Sequence, residues 1–233
     1  MNKNFIIASA LYIGTSLVIA APCCKKAVKK IESKNQQALV QTNTARTSQF
    51  PIDEIFLNRW SPRAMSGEEI TDAELMPLFE AARWAPSSYN AQPWRFIYAK
   101  QGTEHWEKFL HLLVPFNQEW AKNAGVLVVI ISKKNFDHNN TYSPTHSFDA
   151  GAAWENLALQ ASQNGLVAHG IGGFDFERAA KELNISDEYQ VEAMFALGKP
   201  GNIKNLPDYM QENEQPSNRK PVKEFVFEGV FNQ

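Results

Sequence analysis

The sequence predicts an α+β domain, because helical and strand-like segments alternate while the strands stay few. Two stretches anchor that reading. Residues 126–131 are an unbroken run of Val, Leu and Ile, the pattern of a strand covered on both faces. Residues 148–164 form a long Ala-rich helical stretch closed by Gly165, a residue suited to the left-handed backbone just past a helix end. On this pattern alone an α+β sandwich and a regular doubly wound sheet are both open.

The elements follow in order. Residues 52–58 suit one or two short helical turns. Thr71, Asp72 and Glu74 supply a cap and an acidic first turn, and Leu75, Leu78, Phe79 and Ala82 recur at helical spacing. Pro86 ends that helix. Residues 94–99 alternate as a strand, with Pro93-Trp94 setting its entry and packing the core. Residues 105–113 read as helix and 126–131 as the buried strand. After the Ala-rich helix the chain returns as a short strand or extended turn over 166–171. A helix over 176–183 and a strand over 191–197, stopped by Gly198, complete the regular part. Residues 199–219 are polar and irregular. In the tail, Phe225, Phe227 and Phe231 fall at strand spacing over 222–230, an apolar face that must cover this chain's own core or a partner's. Ala150, Ala152, Ala153, Ala158 and Ala161 permit close approach to the long helix. Both a subunit interface and a central buried helix satisfy that.

Composition limits the rest. The 233 residues include 44% hydrophobic residues, enough for one sizeable core. A formal net charge of −2 offers no field for nucleic acid. Metal-type Cys/His spacing, a Walker loop and nucleophile–base pairings are not evident. Residues 1–22 read as a signal peptide or signal anchor: Lys3 precedes an apolar run over 5–21, closed by Ala20-Ala21. That run of about 17 residues is near the lower limit for a bilayer span. Lys25, Lys26, Lys29 and Lys30 after it leave orientation open, and an anchored, cytoplasm-facing domain suits them. The only cysteines, Cys23 and Cys24, lie outside the folded part, so no disulfide holds it. Residues 23–49 read as a polar linker and 50–233 as the domain.

Four motifs carry the chemistry. The first is Asn58-Arg59-Trp60-Ser61-Pro62-Arg63. The second is Ala85-Pro86-Ser87-Ser88-Tyr89-Asn90-Ala91-Gln92-Pro93-Trp94-Arg95-Phe96, too polar and kinked for core and well supplied with amides for a planar polar ligand. The third is Gly170-Ile171-Gly172-Gly173-Phe174, where glycines let backbone approach a ligand without a Cβ in the way. The fourth is Arg219-Lys220-Pro221 with the aromatic tail. In their order and spacing these resemble the nitroreductase family of FMN-dependent oxidoreductases, over roughly residues 52–230.

The resemblance implies a three-layer sandwich around a mainly antiparallel sheet, a homodimer with exchanged termini, and FMN held between subunits. It implies NADH or NADPH as reductant and a small aromatic acceptor, such as a nitroaromatic or quinone, reduced by ping-pong hydride transfer. Arg59, Ser61, Arg63, Arg219 and Lys220 would meet the phosphate and ribityl oxygens, with the backbone of Trp60 following the flavin. Asn90 and Gln92 would serve the pyrimidine edge of the ring, and Pro86, Ser87 and Ser88 its face. Main-chain N–H groups at Gly172 and Gly173 would lie near flavin N5. No side chain need act as a catalyst, since the flavin performs the chemistry. Some members carry Glu where Gly172 stands here, so an acid-assisted role at that position is not implied. His169 reads as a packing or solvent-facing histidine, and Phe116, Trp120 and Tyr142 as aromatic residues that could meet an acceptor. A flavin-dependent dehalogenase or oxygen-using relative is the alternative enzyme. A membrane-tethered flavin-binding protein without turnover is the alternative from another class.

Overall fold

The computed structural model describes residues 46–231. The signal or anchor segment, the tether over 5–21, Cys23, Cys24 and nearly all of the linker lie outside the described residues. Among the described residues no helix is long and apolar enough to cross a membrane.

After a one-turn helix α1 (Ile55–Asn58), helix α2 (Asp72–Arg83) starts at a capping box. The Thr71 hydroxyl accepts from the Glu74 amide at 3.3 Å, and the Glu74 carboxylate accepts from the Thr71 amide at 2.8 Å. Two orphan amides are thereby satisfied at once. Then come β1 (Trp94–Lys100), α3 (Trp106–Leu112), α4 (Pro115–Ala121) and β2 (Val126–Lys133). The long helix α5 (His146–Gln163), β3 (Val167–Ile171), α6 (Phe176–Glu182) and β4 (Tyr189–Gly198) follow, and a short α7 (Asp208–Gln211) precedes the tail.

The four strands pair antiparallel in the order β1-β2-β4-β3. β2 is central and divides its residues between two layers. Val126, Val128 and Ile130 pack with Leu75, Leu78 and Ala82 of α2 and Ala150, Ala153 and Leu157 of α5. Leu127, Val129 and Ile131 pack with Trp106, Phe109 and Leu112 of α3, Trp120 of α4 and Ala179 of α6. Alternation at period two is thus apolar on both sides, which is why this strand shows no polar residue until Ser132. The doubly wound alternative falls away, and the architecture is an α+β three-layer sandwich.

Two segments differ from expectation. α4 lies in a stretch to which the sequence reading gave no element; Pro115 occupies its first turn, where a missing N–H costs nothing. The tail is not a strand: residues Val222–Glu224 make a 3₁₀ turn, and Phe225, Phe227 and Phe231 remain exposed. Among the described residues no strand lies beside them to complete a ladder. Their apolar face is therefore left uncovered.

Candidate functional site

Six of the residues singled out in the sequence come together on one face. Arg59, Trp60, Ser61 and Arg63 follow α1 and meet the middle of α5, at Glu155, and the loop after α7, at Glu214. Arg59 donates to the Ser61 hydroxyl at 3.4 Å and meets the Glu155 carboxylate of α5 at 3.6 Å. Arg219 donates to the Ser217 hydroxyl at 2.9 Å and to carbonyls of its own loop. A cavity of about 220 Å³ is lined by Trp60, Ser61, Arg63 and Arg219. A second, of about 560 Å³, is lined by Arg59, Arg219 and Lys220.

Two further residues belong here that sequence reasoning missed. Arg46 lines both cavities. Its guanidinium donates to the carbonyls of Leu57 (3.1 Å), Arg59 (2.8 Å) and Ser217 (2.9 Å), tying both basic segments together. Burial, then the charges of Arg219 and Arg59, push its pKa below the usual arginine range. Glu214 is almost fully buried under Arg63. It accepts from the amides of Arg63 and Ala64, the latter at 2.7 Å, and faces the Arg63 guanidinium at 3.8 Å. Arg63 Nε is buried without a hydrogen-bond partner among the described residues. Arg46 and Glu214 lie in polar stretches without periodicity, so nothing in the sequence marks them.

The count of charges decides what this face can hold. The two cavities together are lined by five cations (Arg46, Arg59, Arg63, Arg219 and Lys220) and one carboxylate, Glu214, while Glu155 pairs with Arg59 from outside the lining. Like charges this close raise one another's energy unless an anion joins them.

His169 of β3 supports that face from beneath. Its Nδ1 donates to the Pro62 carbonyl at 3.0 Å, and its ring lies 4.6 Å from that of Trp120. Burial drives its pKa down to about 4, against the smaller opposing effect of the Pro62 hydrogen bond. It is a neutral packing histidine at pH 7. Trp120 is core, whereas Phe116 and Tyr142 are exposed.

The loop Pro86–Gln92 lies elsewhere on the chain, and its residues line neither cation cavity. Tyr89, Asn90 and Gln92 all adopt positive φ (51°, 54° and 46°). Such backbone is costly for residues with a Cβ and persists only when its surroundings hold it. Here the buried Asp149 of α5 accepts from the Ser88 amide at 3.1 Å, and the Ser87 hydroxyl accepts from the Gln92 amide at 3.1 Å. The Gln92 carboxamide donates to the Asn90 carbonyl, while the Asn90 carboxamide makes no hydrogen bond among the described residues. Its side chain is exposed and takes no part in holding the turn.

Gly172 and Gly173 end β3. A Cβ on Gly172 would meet nothing within 4 Å, so its surroundings are open. One on Gly173 would come within 2.6 Å of the Asn117 Nδ2 and 3.2 Å of Val114. Its carbonyl accepts from the Val114 amide and the Asn117 carboxamide. Close approach of α4 is what requires glycine there.

Fold and site define an α+β protein that gathers cations on one face and presents a strained amide-bearing loop on another. A model of the nitroreductase family matches residues 57–199, and the chain belongs to that family. It is similar to a solved structure titled as an oxidoreductase containing FMN: 44% identity, 83% of this chain and 99% of that one, with a TM-score of 0.78. A Bacillus subtilis (strain 168) protein provisionally named NAD(P)H nitroreductase MhqN is 27% identical over 195 residues, 70% of this chain and 90% of the other. A nitroreductase family protein of Streptococcus pneumoniae TIGR4, 20% identical, shares the fold with a TM-score of 0.61 over 75% of this chain and 98% of that one.

Proposed function

We infer that the protein is an FMN-dependent oxidoreductase that draws hydride from NADH or NADPH and passes it to a small aromatic acceptor of the nitroaromatic or quinone kind. The observation that carries this is the excess of five cations over two carboxylates, Glu214 and Glu155, at two adjoining cavities. A phosphate monoester, with close to two negative charges and three acceptor oxygens, relieves that excess.

In this reading Arg46, Arg59, Arg63, Arg219 and Lys220 hold the phosphate, with Ser61 beside it. The Gly172–Gly173 backbone faces the ring. Asn90, Gln92 and the Pro86–Ser88 segment reach the ring of a second copy of this chain, since within one chain they lie apart from the cations. The exposed Phe225, Phe227 and Phe231 are then covered by that second copy. Bound FMN supplies two-electron chemistry that no side chain here provides. The protein's part is to bind, orient and exclude water.

The test is the absorbance spectrum of the purified full-length chain, then anaerobic titration with each nicotinamide. Flavin absorbance bleached by NADH or NADPH and restored by a nitroaromatic is expected. A colourless preparation that takes up no added FMN overturns the reading.

A further inference from the structure

β4 contains a bulge that the alternation of its side chains does not announce. Ile130 pairs with Ala193 but Ile131 pairs with Val191, so Glu192 is the extra residue. Met194 and Ala196 face the layer of α3, α4 and α6. Regular alternation would send residue 192 to that layer too. The bulge turns it to the α5 side instead, a known use of bulges near functional sites. There its Oε1 accepts from the hydroxyls of Ser132 and Ser147, the latter at 2.8 Å, and lies 3.4 Å from His146 Nδ1. His146 in turn meets the Ser132 hydroxyl at 2.6 Å and the Tyr142 hydroxyl at 3.5 Å. One carboxylate oxygen is thus fixed by a buried network. Among the described residues the other, Oε2, accepts no hydrogen bond.

Glu192 lines a cavity of about 320 Å³ between α5 and the ends of β3 and β4. Ser147, Gly151 and Trp154 recur on one stripe of α5 and form its outer wall. Trp154 and Phe195, with ring centroids 4.5 Å apart, give an aromatic side, and Ile130 an aliphatic one. Glycines keep it open: a Cβ on Gly151 or Gly172 would meet nothing within 4 Å. No cation lines it.

We propose that this cavity is a binding subsite for a one-ring aromatic molecule carrying an N–H donor or a positive charge, received by Glu192. The second oxygen of Glu192 is an acceptor for a donor or cation on the occupant, and an anion there is repelled. Aromatic walls favour a flat occupant and add cation–π attraction. Gly172 borders the cavity, so the occupant sits beside the proposed flavin. Only the occupant's role as acceptor rests on that reading. The inference then narrows the class of acceptor: nitroaromatics or quinones that carry an amino or amidino substituent over those that carry a carboxylate.

The experiment is calorimetric titration of the full-length protein, with and without added FMN, using benzamidine and benzoate, which share a size and differ in charge. Benzamidine is expected to bind about tenfold or more tightly than benzoate, the worth of one charge-assisted hydrogen bond. Glu192→Gln is expected to remove that preference, and Gly151→Leu to exclude both probes by filling the outer wall. Equal affinities in the unaltered protein, or a preference that survives Glu192→Gln, overturns the proposal. If Glu192→Gln does not fold, undiminished benzamidine binding by Gly151→Leu does the same. Failure to take up FMN while the benzamidine preference persists sinks the flavin reading and leaves this site standing.

Discussion

Acid should loosen this protein through His169, and the amount follows from its surroundings. An unfolded chain protonates histidine near its ordinary pKa of 6.5, whereas in the fold burial holds it to about 4. Between those values the unfolded state binds more protons, so stability rises with pH and is lost as pH falls through 6.5 toward 4. The full difference of about 2.5 pKa steps is worth about 3 kcal/mol, and about 2.5 kcal/mol is lost already at pH 4.5. Carboxylates titrate over part of the same range, so the comparison is with His169→Gln. That variant can still donate to the Pro62 carbonyl but carries no titrating ring. It begins less stable at pH 7 because it forfeits contact with Trp120. As pH falls to 4.5 the gap between the two proteins should close by about 2.5 kcal/mol, or about 5–10 °C in Tm. Denaturant midpoints from pH 7 to 4.5 measure it. A gap constant to within about 0.5 kcal/mol would show that the ring is already charged or solvated in the fold, and the argument would be wrong.

Four more outcomes are expected. Gly201→Ala would bring a Cβ within 2.3 Å of the Met65 backbone carbon and 2.4 Å of its oxygen, so a loss of about 3 kcal/mol should appear as a Tm drop of about 6–12 °C. Gly172→Ala, with open space around it, should stay within about 0.5 kcal/mol of the parent. Arg46→Ala should weaken FMN about 10- to 100-fold and leave riboflavin, which lacks the phosphate, unchanged; fluorescence titration of both flavins reads this directly. Asp149→Ala removes the acceptor of the Ser88 amide, and hydrogen exchange there should quicken by about tenfold or more while α5 keeps its protection.

How much could be read beforehand depended on whether the cause was local. Thr71 and Glu74 cap a helix by their own spacing, and Gly165, at φ 72°, ends another by its freedom to turn left-handed; both are visible in a few residues. β2 was legible because burial on two faces leaves no polar residue over its first six positions. Arg59, Ser61, Arg63, Arg219 and Lys220 were found through motifs, and the chain folds them onto one face. Arg46 and Glu214 act only once distant segments have met, more than 150 positions apart for both the Arg46–Ser217 and the Arg63–Glu214 contacts. The bulge at Glu192 escaped because a strand with one extra residue reads the same as one without. The aromatic tail misled because spacing by two is necessary for a strand, whereas a neighbouring strand is what makes one.

α5 has a consequence for how this chain can vary. Asp149 near its start grips the Ser88 amide, and Glu155, six positions on, meets Arg59. Each residue added to or removed from a helix advances it 1.5 Å and turns it by about 100°. A single insertion or deletion between those two carboxylates would swing one grip round to the wrong side of the rod. That interval works as a ruler, so drift in length should be tolerated in the surface loops and refused there.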